Sequence, residues 1–482
     1  MVLLSYVQIL PSGGEQAPGP AGLELAPFRG VRYAPEQVSG LAEVTSPPYD
    51  VIGQDTAQQL RDADPHNVVR LILPRQDPGR PGGEYHHAAR LLADWQREGI
   101  LVTGDEPALY VYEQRLSGTA GEASRDAGVL QRGLIGAVRL APPGARVVLP
   151  HEDVMPGPVR GRRQLMEATR ANLEPIFLLY EGGLTDGGLT GDRPAKDGPA
   201  ERGRRAGRTA SAATRIAGQV AAAGTPVLSA DTGDGIRHTL WAVTGPAALA
   251  EIAADLAPRQ ALIADGNHRY AAYLEMQADR RAAGDGPGPW DYGLALLVDG
   301  DAFPPEIGAI HRVLPGLPPA EAVERAKAGF SVRAMPGGTA GLPAAMGALS
   351  AAGQDGPAFL VAGQGQVHLL TDPDRVQLEA AMPGGRSAAW RRLSTAVLQE
   401  YLLAALWGIQ DDEQGVRVVH HDAGRAIAEA DASPGGTAVI GNPLRAADVY
   451  AVAAGGERLP RKSTSFAPKP RTGLVLRSLA AG

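Results

Sequence analysis

The sequence predicts a mixed α/β protein, because strand-like apolar runs alternate with helical patterns along most of the chain. Ala108–Leu116 and Glu174–Tyr180 are apolar runs of the length and type expected for buried strands. Glu84–Ile100 instead has apolar residues at helical spacing and closes near Gly99, a favoured helix stop. A length of 482 residues exceeds that of an average domain severalfold, so we expect several folding regions.

The same patterns place the other elements in order along the chain. Further strands are predicted at 68–74, 132–140, 238–243, 260–264, near 357–370 and near 416–420. Further helices are predicted at 162–172, at 246–257, from His268 onward, near 319–329 and near 388–407.

Changes in composition suggest a loose leader followed by three regions. The leader spans 1–24, an N-terminal α/β region spans 25–130, a core spans 131–315, and a C-terminal α/β region spans 316–482. The last of these is expected to return a basic tail to the core. The polar, Gly-rich run 182–210 has no apolar period and is predicted to be a mobile insertion, with its arginines solvated.

Composition also excludes several classes of chemistry. The chain has no cysteine, which removes disulfides, thiolate metal sites and cysteine nucleophiles. Its net charge of -7 disfavours nucleic acid as a partner. No apolar stretch reaches the ~18 residues that would span a bilayer. We therefore expect a cytoplasmic protein without a membrane partner. The sequence is compatible with an oligomer as well as with a monomer.

The segment ALIADGNHRY is the most informative motif. A short strand ends at Asp265-Gly266, and Asn267, His268 and Arg269 open a helix. Backbone N–H groups at a helix N-terminus attract anions, so the turn suits a phosphate and, through Asp265, a metal ion. An ordinary capped helix fits the same residues, because Asp and Gly are common at such positions.

Two further motifs carry charged and hydroxyl groups. LPHEDVMPGP brings His151, Glu152 and Asp153 together on a Pro-braced loop, where a carboxylate can act as a general base. RLPRKSTSF, near the end, sets Lys462 beside Ser463 and Thr464 and suits a phosphate. A charged surface loop and a solvated basic end are the respective alternatives.

Smaller clusters carry less information. SPPYD at 46–50 is a rigid turn, and His311-Arg312 closes an apolar run. The histidine pairs 86–87 and 420–421 are unsuited to holding one metal ion, because adjacent side chains point in different directions.

In this order, the segments resemble a widespread bacterial family known as a domain of unknown function. The shared pieces are SPPYDVI, DPHNVVRLILP, HEDVMPGP, ATRANLEPIFLLY, IADGNHRY, AIHRVL and RKSTSFAPKPRTGLV. The resemblance covers about residues 25 to 478. It implies that Arg312 belongs to the substrate- or phosphate-binding set.

The region 131–315 is also similar to the ParB/sulfiredoxin superfamily, and most of all to its archaeal free-serine kinase. That resemblance implies a ParB/sulfiredoxin-like core, with Glu152 as the base and His151 and His268 as further catalytic residues. It implies that the turn Asp265–Arg269 holds nucleotide phosphates and that Lys462–Thr464 bind phosphate or the substrate's carboxylate. The implied cofactors are ATP or ADP and Mg²⁺, with Asp265 as the metal ligand.

Two positions depart from these patterns. Asn267 replaces a histidine, and an amide can neither hold a proton nor carry a charge. Gly161 stands where the family has an acidic residue before the arginine.

The leading hypothesis is therefore a small-molecule phosphotransferase, a kinase of free serine or a similar hydroxy or amino acid. A nucleotide-binding regulator without turnover is the alternative. A DNA-associated ParB-like protein is disfavoured by the acidic charge and the lack of a helix-turn-helix pattern. The kinase hypothesis predicts that Glu152, the Asp265–Arg269 turn and Lys462–Thr464 converge on one pocket.

Overall fold

A computed structural model describes residues 22–75, 83–118, 128–183, 210–412, 415–433 and 435–480. Its mixture of helices and sheets confirms the predicted α/β class. The predicted loose leader and mobile insertion lie almost wholly outside the described residues, although Leu23, at the end of the leader, is buried. Within the described part of the chain, no helix has the length and apolar character needed to cross a membrane.

The described residues form two compact units. The first comprises the residues up to Pro150, Val154–Pro305 and those from Pro468 onward. The second comprises His151–Asp153 and Glu306–Ala467. Residues on both sides of the predicted boundary at 130 thus share the first unit, and the end of the basic tail belongs to that unit as well.

The strands are numbered in chain order. They are β1 (Leu25–Ala26), β2 (Gly30–Tyr33), β3 (Leu101–Thr103), β4 (Leu109–Leu116), β5 (Val129–Arg139), β6 (Val148–Leu149), β7 (Ala171–Asn172), β8 (Ile176–Tyr180), β9 (Leu228–Thr232), β10 (Ile236–Val243), β11 (Ala261–Asp265), β12 (Tyr292–Asp299), β13 (Glu306–Gly308), β14 (Ile310–Leu314), β15 (Ser331–Ala334), β16 (Phe359–Gly363), β17 (Gln366–Thr371), β18 (Arg417–His420), β19 (Thr437–Gly441), β20 (Ser465–Ala467) and β21 (Leu476–Ser478).

The helices are of three kinds. The α-helices span Leu41–Val44, Gln54–Ala63, Val69–Ile72, Gly83–Arg97, Pro156–Thr169, Ala212–Ala223, Pro246–Leu256, Asn267–Ala282, Pro319–Ala326, Leu342–Ala352, Arg375–Ala381, Ala388–Arg391, Ser394–Ala396, Ala423–Asp431 and Ala446–Ala454. A π-helix spans Val397–Leu406, and 3-10 turns span Pro35–Gln37, Tyr49–Val51, Pro143–Ala145, Pro289–Asp291 and Gly338–Gly341.

The first unit is built on a large mixed sheet. Its strand order is β6-β11-β8-β12-β5-β4-β10-β9, with β1 paired to β5. The pairs β6–β11 and β8–β12 are parallel and the others are antiparallel. A smaller sheet in the same unit has the order β3-β2-β21-β7, so the final strand of the chain pairs with two early strands.

The second unit contains an antiparallel sheet of order β15-β17-β16-β19-β14-β18 and a two-stranded pair, β13–β20. The helix Ala423–Asp431 packs on β14 and β19 and buries Ala426, Ile427 and Ala430. The small side chains of Ala426 and Ala430 allow helix and sheet to approach closely.

The core of the first unit positions the strand-to-helix turn that the sequence singled out. All five residues of β11 are buried, which explains why the strand reads as a continuous apolar run and not as an alternation. The helix Asn267–Ala282 that follows packs on the helix Pro156–Thr169 and buries Tyr270 and Tyr273.

Three predicted elements differ from the structure. The predicted strand 68–74 is wrong, because Val69–Ile72 is a short helix, and a brief apolar run does not distinguish the two. The predicted helix 162–172 instead begins at Pro156, a favoured first position, and ends before Arg170, which has φ 48°. The predicted helix 388–407 is broken into Ala388–Arg391, Ser394–Ala396 and the π-helix.

Candidate functional site

The turn after β11 is shaped by two local features. The pairing of β11 with β8 shifts register between Ile263 and Asp265, and such an irregularity redirects the side chain that follows it. Gly266 then adopts φ 96°, and a Cβ at this position would lie 2.9 Å from Ile176 Cγ2. A glycine is therefore required for the chain to leave the strand and enter the helix at Asn267.

Arg269, which the resemblance assigns to the phosphate-holding turn, is buried and paired within the first unit. Its guanidinium pairs with Asp265 Oδ2 through Nη2, and its Nη1 donates to the Pro175 carbonyl at 2.5 Å. Only 4% of the residue is exposed. The ion pair forms because Asp265 and Arg269 are four positions apart, a spacing that lets the two side chains meet across the first helical turn.

Asp265 has a second cationic partner from the end of the chain. Lys469 Nζ lies 2.6 Å from Asp265 Oδ1 and 2.5 Å from Asp50 Oδ2. Burial of the ammonium opposes its charge, but Asp265 and Asp50 outweigh it and raise the pKa of Lys469 above its usual value. Lys469 therefore keeps its proton at neutral pH and links three distant segments of the first unit.

Tyr49 lies beside the same group of charges. The guanidinium carbon of Arg162 stands 4.2 Å from its ring centroid, and that of Arg269 stands 5.9 Å away. Burial raises the pKa of Tyr49 to about 12, against the opposing effect of the two arginines. The phenol is therefore neutral, and its ring acts as a face for cations.

Glu174 completes this arrangement. It accepts the Tyr49 backbone N–H at 3.0 Å through Oε1 and lies 3.5 Å from Arg162 Nη1 through Oε2. Burial raises its pKa, while Arg269 and Arg162 act in the opposite direction. We call the seven residues of this arrangement the buried charge cluster: Tyr49, Asp50, Arg162, Glu174, Asp265, Arg269 and Lys469.

The imidazole of His268 is held in place by a backbone hydrogen bond to its Nε2 atom. The backbone N–H of Met155 donates to His268 Nε2 at 3.1 Å. That nitrogen therefore carries a lone pair, and a neutral ring holds its proton on Nδ1. The contact joins the loop after the His-Glu-Asp motif to the helix N-terminus within the first unit. The neighbouring Asn267 is buried.

Within the second unit, the His-Glu-Asp motif and the Lys-Ser-Thr motif lie side by side. His151 Nε2 and Thr464 Oγ1 are 2.7 Å apart, although 313 positions separate the two residues in sequence. Glu152 forms a parallel bridge with Leu459, whose N–H donates to the His151 carbonyl at 2.8 Å. Two of the three predicted motifs are thus brought together.

Arg312 lies under the Lys-Ser-Thr segment and is 1% exposed. Its Nε donates to Asp411 at 3.0 Å, and its Nη2 donates to the carbonyls of Arg461 at 2.8 Å and Lys462 at 3.2 Å. Nη1 is buried and has no partner among the described residues. Burial lowers the pKa of Arg312, against Asp411, and Glu152 also favours its charged form.

The three residues of the Lys-Ser-Thr motif differ in what they can offer a ligand. Ser463 Oγ donates to the Pro460 carbonyl at 2.6 Å, and Thr464 is engaged with His151. Lys462 has φ 51° and is partly exposed, and the described part of the chain supplies no ion pair to its ammonium. Lys462 Nζ and the buried Arg312 Nη1 are therefore cationic donors to which the described residues supply no ion pair or hydrogen bond.

Asp153 follows Glu152 in the same loop, and its Oδ1 is buried without a partner among the residues described. Burial raises its pKa, while Arg458 and Arg386 act in the opposite direction. A carboxyl in this position is easier to protonate than a solvated one.

Asp265, the predicted metal ligand, already has cationic partners in the structure. Both of its carboxylate oxygens pair with cationic side chains, Lys469 and Arg269. Over the described ranges, no group of three or more histidine, aspartate or glutamate residues is placed to hold a metal ion. The residues present therefore do not fit a protein-held Mg²⁺ at this turn.

Sequence reasoning missed most of the buried charge cluster. Asp50 and Tyr49 were noted only as the exit of a rigid turn, and Lys469 only as part of a basic end. The available signal was the proline on either side of Lys469 and the double proline before Tyr49, because such segments are stiff enough to fix a charged side chain.

Residues 25–185 and 207–396 match the model of a family described as "Protein of unknown function (DUF1015)". The match covers well over half of the chain, so the protein belongs to this family, as the motifs predicted. No curated protein sequence matches the chain.

Several solved structures show a distant likeness. Free serine kinase in complex with AMP is 14% identical, with a TM-score of 0.30, covering 66% of this chain and 83% of that one. SbnI with a C-terminal truncation, from Staphylococcus aureus, is 10% identical, with a TM-score of 0.31, covering 70% and 84%. A conserved hypothetical protein from Pyrococcus furiosus is 14% identical, with a TM-score of 0.29, covering 67% and 88%. Scores of this size assign neither fold nor function, and the ParB/sulfiredoxin-like core stays a prediction.

Proposed function

We propose that the protein is a small-molecule phosphotransferase, a kinase that uses ATP or ADP to phosphorylate the hydroxyl of free serine or a similar hydroxy or amino acid. The strongest support for this proposal is the contact between two of the predicted motifs. The His-Glu motif and the Lys-Ser-Thr motif, which the kinase resemblance assigns to base and anion binding, lie together in the second unit through the His151–Thr464 contact.

Glu152 is the proposed general base. Its backbone is held within the second unit by the parallel bridge to Leu459. Removing the hydroxyl proton lets the oxygen attack the terminal phosphorus of the donor. The bond from that phosphorus to its bridging oxygen breaks, the shorter nucleotide leaves, and Glu152 holds the proton.

Lys462 and Arg312 are the proposed anion ligands. The Lys462 ammonium and the buried Arg312 Nη1 are the cationic donors that the surrounding described residues leave unpaired. A guanidinium that lies under the segment carrying the ammonium suits the carboxylate of an amino acid or a phosphate group. His151 orients Thr464 in this arrangement and is a positioning residue.

The turn Asp265–Arg269 is proposed to bind the nucleotide phosphates through the helix N-terminus. Gly266 allows a close approach of backbone to ligand, and the helix dipole favours negative charge. In this proposal Arg269 and Asp265 hold the turn in shape and do not contact phosphate. ATP and ADP normally arrive with Mg²⁺, but no step of the proposal passes through a metal ion held by the protein.

Phosphorus NMR with ATP or ADP and a panel of hydroxy-amino acids tests the proposal. We expect a new phosphomonoester signal with at least one acceptor. Glu152→Gln should reduce turnover by about 10²-fold or more, with nucleotide binding retained, since the base acts on the acceptor. Glu306→Gln is the matched control, because Glu306 is exposed in the same unit, and it should leave turnover unchanged.

The outcomes separate the alternatives. Nucleotide binding without consumption across the panel would replace the kinase with a nucleotide-binding regulator. Absence of nucleotide binding, measured by calorimetry, would contradict both readings. Full turnover by Glu152→Gln would remove Glu152 from the chemistry.

A further inference from the structure

Two carboxylates from distant parts of the first unit converge on one cation. Asp50 Oδ2 lies 2.5 Å from Lys469 Nζ, and Asp265 Oδ1 lies 2.6 Å from it. The lysine side chain is 17% exposed, so the ammonium is largely withdrawn from water. The contact links positions 419 residues apart in sequence, and neither the family description nor the proposed phosphotransfer assigns a role to it.

The arrangement has the ligand chemistry of a magnesium site with an amine at its centre. Mg²⁺ in proteins is commonly held by one or two carboxylates and completes its shell with water and substrate phosphates. Asp50 and Asp265 supply two such carboxylates. We infer that Lys469 is the resident cation of the Asp50–Asp265 pair and that the pair holds no divalent metal ion in the working protein.

The balance of charge supports this inference. Asp50 and Asp265 carry two negative charges, and Lys469 and Arg269 carry two positive ones. A divalent ion entering this group would leave two positive charges unbalanced among partly buried side chains, which is strongly unfavourable. Loss of the lysine charge reverses the situation, because the buried charge cluster would then hold three carboxylates (Asp50, Glu174 and Asp265) and two guanidiniums (Arg162 and Arg269).

The position of Lys469 is imposed by the backbone around it. Prolines on both sides restrict the segment, and Gln114 Nε2 donates to the Lys469 carbonyl at 3.3 Å. Just beyond, Arg471 Nε donates to Thr45 Oγ1 at 2.7 Å, and Thr472 pairs with Ser46 through backbone hydrogen bonds of 2.8 and 3.1 Å. The tail is thus fastened beside the turn that carries Asp50, and the ammonium is delivered to both carboxylates.

This makes Lys469 a positioning residue for the turn at Asp265. It holds one carboxylate oxygen of Asp265 while Arg269 holds the other. The orientation of the turn therefore depends on the C-terminal segment of the chain and not on a metal ion. The inference is independent of phosphotransfer, because it concerns the protein without nucleotide or substrate.

Manganese binding tests the inference without nucleotide or turnover. Mn²⁺ stands in for Mg²⁺, and its binding is followed by calorimetry and by its electron paramagnetic resonance signal. Wild-type protein should bind no Mn²⁺ that depends on Asp50. Lys469→Met should lower the melting temperature by several degrees and gain a Mn²⁺ site that raises it again, and adding Asp50→Asn should abolish that site.

Lys327→Met is the matched control, because Lys327 is exposed and pairs with exposed Glu324, and it should change neither stability nor metal binding. Equal melting temperatures for Lys469→Met and Lys327→Met would overturn the inference. So would a Mn²⁺ bound by the wild-type protein and lost in Asp50→Asn. If Lys469→Met does not fold, this wild-type comparison decides the question alone.

Discussion

Replacing Arg269 by alanine should destabilise the first unit strongly. The guanidinium is 4% exposed, pairs with Asp265 and donates to the Pro175 carbonyl at 2.5 Å. Alanine removes both the ion pair and the hydrogen bond. The buried Pro175 carbonyl then loses this donor, and the Asp265 carboxylate loses one of its cationic partners. Loss of one partner of a buried ion pair costs about 3–5 kcal/mol.

That cost converts into a measurable shift in melting temperature. With an unfolding entropy of about 2 cal/mol/K per residue over a unit of roughly 300 residues, the drop should be about 5–8 °C. Differential scanning calorimetry on wild-type and variant protein measures it directly. Arg215→Ala is the control, because Arg215 pairs with Glu251 on an exposed surface, where such pairs contribute about 0–1 kcal/mol.

The opposite result has a clear meaning. If Arg269→Ala melts within about a degree of the wild type but loses affinity for nucleotide, Arg269 would be a phosphate ligand and its ion pair with Asp265 would be unimportant for stability. The structural role argued from burial would then be incorrect, and Arg269 would bind phosphate as the family resemblance implies.

Two further predictions concern the turn and the pH dependence of stability. Gly266→Ala should cost on the order of 1–3 kcal/mol, because its φ of 96° is strained for alanine and its Cβ would lie 2.9 Å from Ile176; Gly284→Ala, with φ 84° and open space around it, should cost less in the same urea titration. Burial lowers the pKa of His238 and of His311 to about 4 from the ordinary 6.5. The unfolded chain therefore takes up protons first as pH falls below about 6.5, and unfolding free energy should fall by about 2 kcal/mol per histidine at about pH 5. His311→Asn, which cannot titrate, should show a smaller drop, and an unchanged slope would remove His311 as a cause.

The structure adds most to the sequence-based view at the predicted site residues. Arg269, predicted as part of a phosphate-holding turn, is buried and paired with Asp265, and Asp265, predicted as a metal ligand, is paired with Lys469 and Arg269. His268 was expected to act in catalysis, and its Nε2 accepts the Met155 N–H. These contacts could not be predicted, because a motif shows which groups are present and does not show which partners they have in the folded protein.

The sequence by itself determined the fold class and most of the secondary elements. Apolar periodicity depends on local chain geometry, so the strands β8 and β11 and the helix Asn267–Ala282 were predictable from residues close together in the chain. The ordered motifs likewise identified the family before any contact was known. These properties need no information about distant residues.

Only the tertiary structure decided how the charges are paired. Asp50 meets Lys469 across 419 positions, and His151 meets Thr464 across 313. The strength of such contacts depends on distance in space and on loss of water, neither of which the order of residues records. From the sequence alone, a lysine between two prolines is therefore predicted to belong to a solvated tail. In the folded chain the ammonium of Lys469 lies between the carboxylates of Asp50 and Asp265, where it holds the turn at Asp265 in position.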